Sequence, residues 1–176
     1  MEDMTAKLNE YKSKKDAETE NLRIEKEQDF KSLLAKIESY ASTFDMWIKN
    51  YNAALDAGIH FSDDTYSKQN FNANGITHNL GFLRVGPNND RAIGLAVIGG
   101  GANGPVSIIY KDGKVFYSND AYYGHDEEYA NRHPITSFDD RTIKDYLFAA
   151  NSFFSGITPF EERLTEYLNK CLSRYN

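Results

Sequence analysis

The sequence predicts an α+β fold with a long N-terminal helix, a four-stranded antiparallel meander and two C-terminal helices packed on one face of the sheet. Three observations predict it. Residues 5–57 contain no Gly or Pro, residues 80–118 hold four short apolar runs separated by turn sequences, and the remaining apolar residues return to helical spacing. The chain of 176 residues, of which 40% are hydrophobic, has the length of one ordinary domain.

The N-terminal helix should change character near Phe30. From that residue onward the apolar positions alternate spacings of three and four, which is typical of a helix that lies on a core. Gly58 supplies a helix stop. We therefore expect residues 1–57 to form the helix and residues 58–176 to form the sheet-containing body, with residues 30–57 facing the core.

The polar segment 5–29 has a different pattern. Three apolar residues share one face of this segment, and three charged residues interrupt that face: Leu8, Tyr11 and Leu22, and Lys15, Glu18 and Glu25. We expect the segment to project or to fray. Two interpretations stay open at this point, a charged extension without a partner and an arm that docks on a protein, which includes a homodimer formed through the N-terminal helix.

Four apolar runs predict the strands, and hairpin chemistry predicts how they connect. Asp112-Gly113 between the last two runs is a two-residue hairpin signal, so the natural topology is an antiparallel meander. Residues 59–75 are polar and predict a loop or a short turn of helix. The runs are Leu80–Val85, Arg91–Ile98, Pro105–Tyr110 and Lys114–Ser118.

Capping residues predict two helices at the C-terminal end. Ser137 is the expected N-cap of the first helix, which should stop at Gly156. The second helix has Thr158 as N-cap, Pro159 at the first helical position and Glu161 to complete a capping box.

The glycine-rich segment 96–104 resembles the dinucleotide-binding fingerprint of flavin and nicotinamide enzymes, with Asp120 further along the chain. That fingerprint requires a helix that begins at the third glycine. Because Pro105–Tyr110 is rich in β-branched residues and lacks helical spacing, we expect a glycine loop between two antiparallel strands and predict no cofactor. Three of its residues are candidates for contact with a partner: Gly100, Gly101 and Asn103.

The segment 119–136 is predicted to be a loop rich in tyrosine and acidic residues. Exposed tyrosine is common at protein interfaces, and imidazole with carboxylate can bind a divalent metal or exchange protons. The spacing matches no established metal motif. The candidates for partner binding are Tyr122, Tyr123, Asp126, Glu127, Glu128 and Tyr129, and those for a metal are His125, Asp126 and His133.

Composition restricts the class of function. A net charge of −6 argues against direct nucleic-acid binding, and the single cysteine, Cys171, excludes an internal disulfide and any multi-cysteine metal site. No run approaches the roughly 20 apolar residues that cross a bilayer, and the charged N-terminus is unlike a signal peptide. We therefore expect a cytoplasmic protein that does not bind a membrane.

These observations favour a non-enzymatic protein-binding module, such as a small regulator or inhibitor that acts through protein–protein contact. No motif for catalysis supports an enzyme. Two alternatives stay open, a small metal-assisted hydrolase that uses the 125–133 loop and a small-ligand sensor with a pocket beneath the helices.

Overall fold

The computed structural model describes residues 3–61, 68–73, 76–84, 91–101, 104–118 and 140–175. The helices are α1 (Met4–Glu38), α2 (Ala41–Asp56) and α3 (Asp140–Ser173). The strands are β1 (Lys68–Ala73), β2 (Ile76–Arg84), β3 (Ala92–Gly101), β4 (Gly104–Lys111) and β5 (Lys114–Ser118). All five strands form one antiparallel sheet in the order β1-β2-β3-β4-β5. The prediction of an α+β meander is confirmed.

The main core lies between the helices and one face of the sheet. Strand residues two apart point to the same face, and these face the helices. They are Leu80, Phe82, Leu95, Val97, Val106, Ile108 and Tyr110. The opposite face carries a second, small cluster of Leu83, Ala96 and Ile109.

The long N-terminal helical segment is divided by a bend after α1. The backbone N–H of Tyr40 donates to the carbonyl of Ile37, an i→i+3 bond that tightens the last turn. Side chains on both sides of the bend are fully buried, including Ile37 and Phe44. The bend therefore lets one apolar stripe, predicted to begin at Phe30, follow the core through both helices.

Two polar contacts fasten α2 to the sheet. The Asn52 side chain donates to the carbonyl of Ala92 and accepts from its N–H, at 2.9 and 2.8 Å, so it pairs with the first residue of β3 as a strand would. The Tyr110 hydroxyl donates to Asp45 Oδ1 at 2.7 Å. The pKa of Tyr110 is raised, mainly by burial and in second place by this hydrogen bond. The neutral phenol is therefore the form that the fold favours.

The β4–β5 hairpin confirms the turn predicted at Asp112-Gly113. Both residues have positive φ, 50° and 77°, and the flanking Lys111 and Lys114 are paired. Positive φ at both central positions is the geometry of a type I′ turn, whose twist matches that of the strands.

The sheet has one strand more than predicted. The prediction of a loop or a short turn of helix for residues 59–75 is wrong for 68–73, because β1 pairs along its whole length with β2. β2 begins at Ile76 rather than at Leu80 because its first residues form this pairing. The β1 sequence contains a single large apolar residue, Phe71, so two-residue alternation could not reveal it. Backbone hydrogen bonds can add such a polar strand at a sheet edge.

The prediction of two C-terminal helices is wrong, because α3 is continuous through Gly156 and Pro159. An interior glycine costs about 1 kcal/mol and an interior proline about 3 kcal/mol in a helix. Buried residues at spacings of three and four run across both positions, and each large one contributes about 1.5–3 kcal/mol. They are Ile143, Tyr146, Ala150, Phe153, Ile157, Phe160 and Leu164. Burial along this stripe exceeds the cost of the two helix breakers.

The glycine run also differs from its prediction. Gly100 and Gly101 continue β3 and pair with Pro105 and Gly104, so they lie in a ladder and not in a loop. Gly104 begins a strand antiparallel to β3. The helix that a dinucleotide fingerprint requires at this glycine is therefore replaced by β4.

We predict that Gly94→Ala destabilises the fold. A Cβ atom at this position of β3 would meet the backbone carbonyl of Tyr110 on β4, and the strands are fixed by pairing on both sides. We expect the free energy of unfolding to fall by about 1–3 kcal/mol, measured by urea denaturation. Lys49→Ala on the exposed surface of α2 is the control and should change it by less than about 0.5 kcal/mol. Equal stability of the two variants would contradict the close approach of Gly94 to the carbonyl of Tyr110.

Candidate functional site

Most of the sequence-predicted site residues lie outside the described part of the chain. Asn103 and the tyrosine-rich acidic loop are in this group, with the partner-binding candidates Tyr122, Tyr123, Asp126, Glu127, Glu128 and Tyr129 and the metal candidates His125, Asp126 and His133. Gly100 and Gly101 are described, at the end of β3. A role in binding stays a prediction for all of these residues.

The described feature that stands out is the N-terminal part of α1, residues 4–29, which we call the arm. None of its side chains is buried, and Phe30 is the first buried residue of the helix. At 1.5 Å per residue the arm is about 39 Å long. The Asp3 side chain caps it by accepting from the N–H of Thr5 at 3.0 Å. The arm is therefore a helix with a fixed base and an exposed surface.

One side of the arm carries exposed apolar residues. Successive residues advance by roughly 100° around a helix, which places four large apolar side chains within about 60° of one another. Each is between 55% and 65% exposed: Met4, Leu8, Tyr11 and Leu22. Lys15, Glu18 and Glu25 lie on the same side, and we call these seven residues the exposed stripe. The seven positions have the spacings of four and three of a helix that packs against another, and charged residues occupy three of them.

On the other side of α1 four charged residues are paired with each other. Arg23 contacts Glu20 at 2.7 Å and Glu27 at 3.1 Å, and Lys31 contacts Glu27 at 2.7 Å. The hydrogen bond from Arg23 lowers the pKa of Glu20, and the hydrogen bond from Lys31 is the main cause of the lowered pKa of Glu27. This side of the arm supports its own helix.

The charged residues of the exposed stripe have no such arrangement. Lys15, Glu18 and Glu25 form no ion pair with any residue that the structure describes. Along the stripe one positive charge, Lys15, is followed by two negative charges, Glu18 and Glu25. The stripe therefore presents both apolar area and available charges to a partner.

A groove continues the exposed stripe onto the body. It lies between α1 and α3, has a volume of about 450 Å³, and is open to solvent. Its lining residues are Asp29, Ser32, Leu33 and Lys36 of α1 with Leu147 and Asn151 of α3. At roughly 100° per residue, Asp29, Leu33 and Lys36 are on the side of α1 that carries the stripe. The Lys36 ammonium lies 4.0 Å above the ring of Phe154, which holds one wall of the groove in place.

A second unusual group is the Asp145 carboxylate in the first turns of α3. It is 8% exposed, and its Oδ2 atom has no hydrogen-bond partner among the residues that the structure describes. Burial raises the pKa of Asp145, and the neighbouring Lys144 opposes this in part. Within the described ranges no group of three or more His, Cys, Asp or Glu residues is placed to hold a metal ion. Asp145 is therefore a cost to folding at neutral pH.

None of the helices among the described residues combines the length and apolar character needed to cross a bilayer.

The sequence predicts part of this site. The shared face of Leu8, Tyr11 and Leu22 is visible in the spacing of these residues, whereas Met4 and the groove are not among the predicted features. Met4 could have been found by extending the same spacing by one step. The groove had no sequence signal, because Lys36 and Leu147 belong to helices that are far apart in the chain and meet only in the fold.

We predict that Asp145→Asn stabilises the protein at neutral pH. A carboxyl whose pKa is raised in the folded state favours folding at pH values below its unfolded pKa of about 4 and loses that contribution as the pH rises. Removing the charge should therefore raise the free energy of unfolding at pH 7 by about 1 kcal/mol and have less effect at pH 4. Chemical denaturation at both pH values measures this, with Asp16→Asn on the exposed arm as the control. An equal effect of Asp145→Asn at both pH values would show that the charge of the carboxylate does not cause the change in the free energy of unfolding.

Comparison with known proteins gives no relative from which a function could be carried over. No protein-family model, no curated protein and no solved structure matches the chain. The function has to be inferred from the geometry of the arm and the groove.

Proposed function

We propose that this chain is a non-enzymatic protein-binding module whose arm docks a helical protein partner. The observation that carries the proposal is the exposed stripe, which has four apolar side chains more than half exposed and leads into an open groove at the base of the arm. A charged extension without a partner would have no need for large apolar residues on one side. A regulator or inhibitor that acts by contact in the cytoplasm is the class of protein that fits.

The size of the apolar contact indicates how the partner binds. Burying a fully exposed large apolar side chain contributes about 1.5–3 kcal/mol, so the four residues of the stripe, each 55–65% exposed, supply roughly 4–7 kcal/mol. Association itself costs about 4–15 kcal/mol in lost freedom. The apolar residues alone therefore do little more than offset that cost. A partner must also use the charges of the stripe, the groove, or both.

The shape of the stripe selects the chemistry of the partner. Its residues are spaced by three and four along a helix of about 39 Å. An amphipathic helix of similar length can pack against such a helix with knobs-into-holes contacts. One positive charge, Lys15, followed by two negative charges, Glu18 and Glu25, favours a partner helix that places a negative charge opposite the first and positive charges opposite the others. The glycine residues of β3 and the tyrosine-rich loop stay separate candidates for partner contact.

We predict that the triple variant Leu8→Glu, Tyr11→Glu, Leu22→Glu loses partner binding without losing the fold. The matched control adds the same charge on the opposite side of the arm through Ala6→Glu, Ser13→Glu and Ala17→Glu. Affinity capture from a native lysate, together with the mass of the purified protein in solution, measures binding. We expect at least about a hundredfold weaker association for the stripe variant and little change for the control.

Thermal unfolding and circular dichroism of both variants check that the body is intact. If the stripe variant keeps the solution mass and every captured partner of the wild-type chain, the arm is not the binding surface and the proposal fails.

A further inference from the structure

We infer that the partner of the arm is a second copy of this chain, with the two arms paired antiparallel and the first turn of each arm seated in the groove of the other copy. This inference rests on the proposed function and adds the identity of the partner. Three observations carry it: the distribution of charge along the arm, the register of the exposed stripe, and the position of the groove.

Charge is divided between the two halves of the arm. Residues 4–15 carry four lysines and one glutamate, a net charge of +3. Residues 16–29 carry six carboxylates and two basic side chains, a net charge of −4. Two antiparallel copies place the basic half of each arm beside the acidic half of the other. A parallel pair would place like charges side by side along the whole contact, which is unfavourable.

The exposed stripe fits an antiparallel register about an axis between Asp16 and Ala17. In this register Lys15 of one copy lies opposite Glu18 of the other, so two of the three charges that interrupt the apolar face neutralise each other, and Glu25 lies opposite Leu8. Tyr11 lies opposite Leu22, which keeps apolar side chains together. A two-fold axis repeats each of these pairs, because a contact from one residue to another is matched by its reverse.

The same register explains the groove. Met4 at the start of one arm lies opposite Asp29 of the second copy, where the groove begins. The unbranched methionine side chain adapts well to a shallow apolar site such as the one beside Leu33 and Leu147. Met4 cannot reach the groove of its own chain, because about 38 Å of straight helix separates it from Asp29.

A cysteine pair tests the register directly. We predict that Met4→Cys with Asp29→Cys, in a full-length chain that also carries Cys171→Ser, forms a disulfide-linked dimer under mild oxidation. A bond within one chain is excluded by the separation of about 38 Å, since a disulfide joins Cα atoms no more than about 7 Å apart. Each single cysteine variant is the control and should stay largely monomeric on a non-reducing gel.

Two outcomes would overturn the inference. One is cross-linking of the single Met4→Cys variant to the same extent as the pair, which indicates parallel arms. The other is a wild-type chain that sediments as a monomer throughout the micromolar range. If the wild-type chain is a monomer, the proposed function survives when the stripe variant no longer captures a protein that the wild-type chain captures. The proposed function fails together with the inference when both chains capture the same proteins.

Charge reversal tests the central contact. Lys15→Glu places two carboxylates opposite each other at both symmetric positions and should weaken the dimer by at least about tenfold in sedimentation equilibrium. Adding Glu18→Lys restores opposite charges only if the arms are antiparallel, and we expect affinity within about threefold of the wild-type chain. Ser13→Glu, on the opposite side of the arm, should have little effect. A double variant as weak as Lys15→Glu alone would overturn the proposed register.

Discussion

Phe30 fixes the arm to the body, and the arrangement of the candidate site depends on it. Its ring is fully buried, with its centre 5.1 Å from that of Tyr117 on β5 and 5.5 Å from that of Tyr146 on α3. A helix, an edge strand and the C-terminal helix therefore meet at one aromatic cluster. Such pairs contribute about 0.5–1.5 kcal/mol beyond the area they bury. Beyond this cluster the direction of α1 is set, and its first seven turns leave the body with no buried side chain.

The arm is held only at its base, and its two sides differ in what they offer to a partner. On one side of the arm Arg23 and Lys31 form ion pairs with glutamates, and the other side carries apolar residues and three charges that form no ion pair within the described part of the chain. Isolated helices of moderate length are marginal in water, and most helical stability in proteins comes from packing of an apolar face. The exposed stripe is a face of that kind. Pairing with another helix would give the arm the support that Phe30 and its neighbours give to the rest of α1.

The sequence predicted the helices and strands that bury a periodic apolar face, and it failed where burial was not periodic or where packing overcame a local signal. β1 has one large apolar residue, so backbone pairing with β2 alone reveals it. Gly156 and Pro159 are strong local stop signals, yet the apolar stripe of α3 continues through both. Gly100 and Gly101 suggest a loop by composition, although pairing with β4 holds them in a strand. In each case contacts from another part of the chain decided the local structure.

By itself the sequence determined the fold class, the hairpin at Asp112-Gly113 and the change of character at Phe30, because each depends on residue types close together in the chain. The spacing of the arm's apolar residues was also visible in the sequence. Only the tertiary structure decided that this face stays uncovered and leads into a groove. The groove joins Lys36 with Leu147, and residues so far apart in sequence become neighbours only when α1 and α3 pack on the same sheet face.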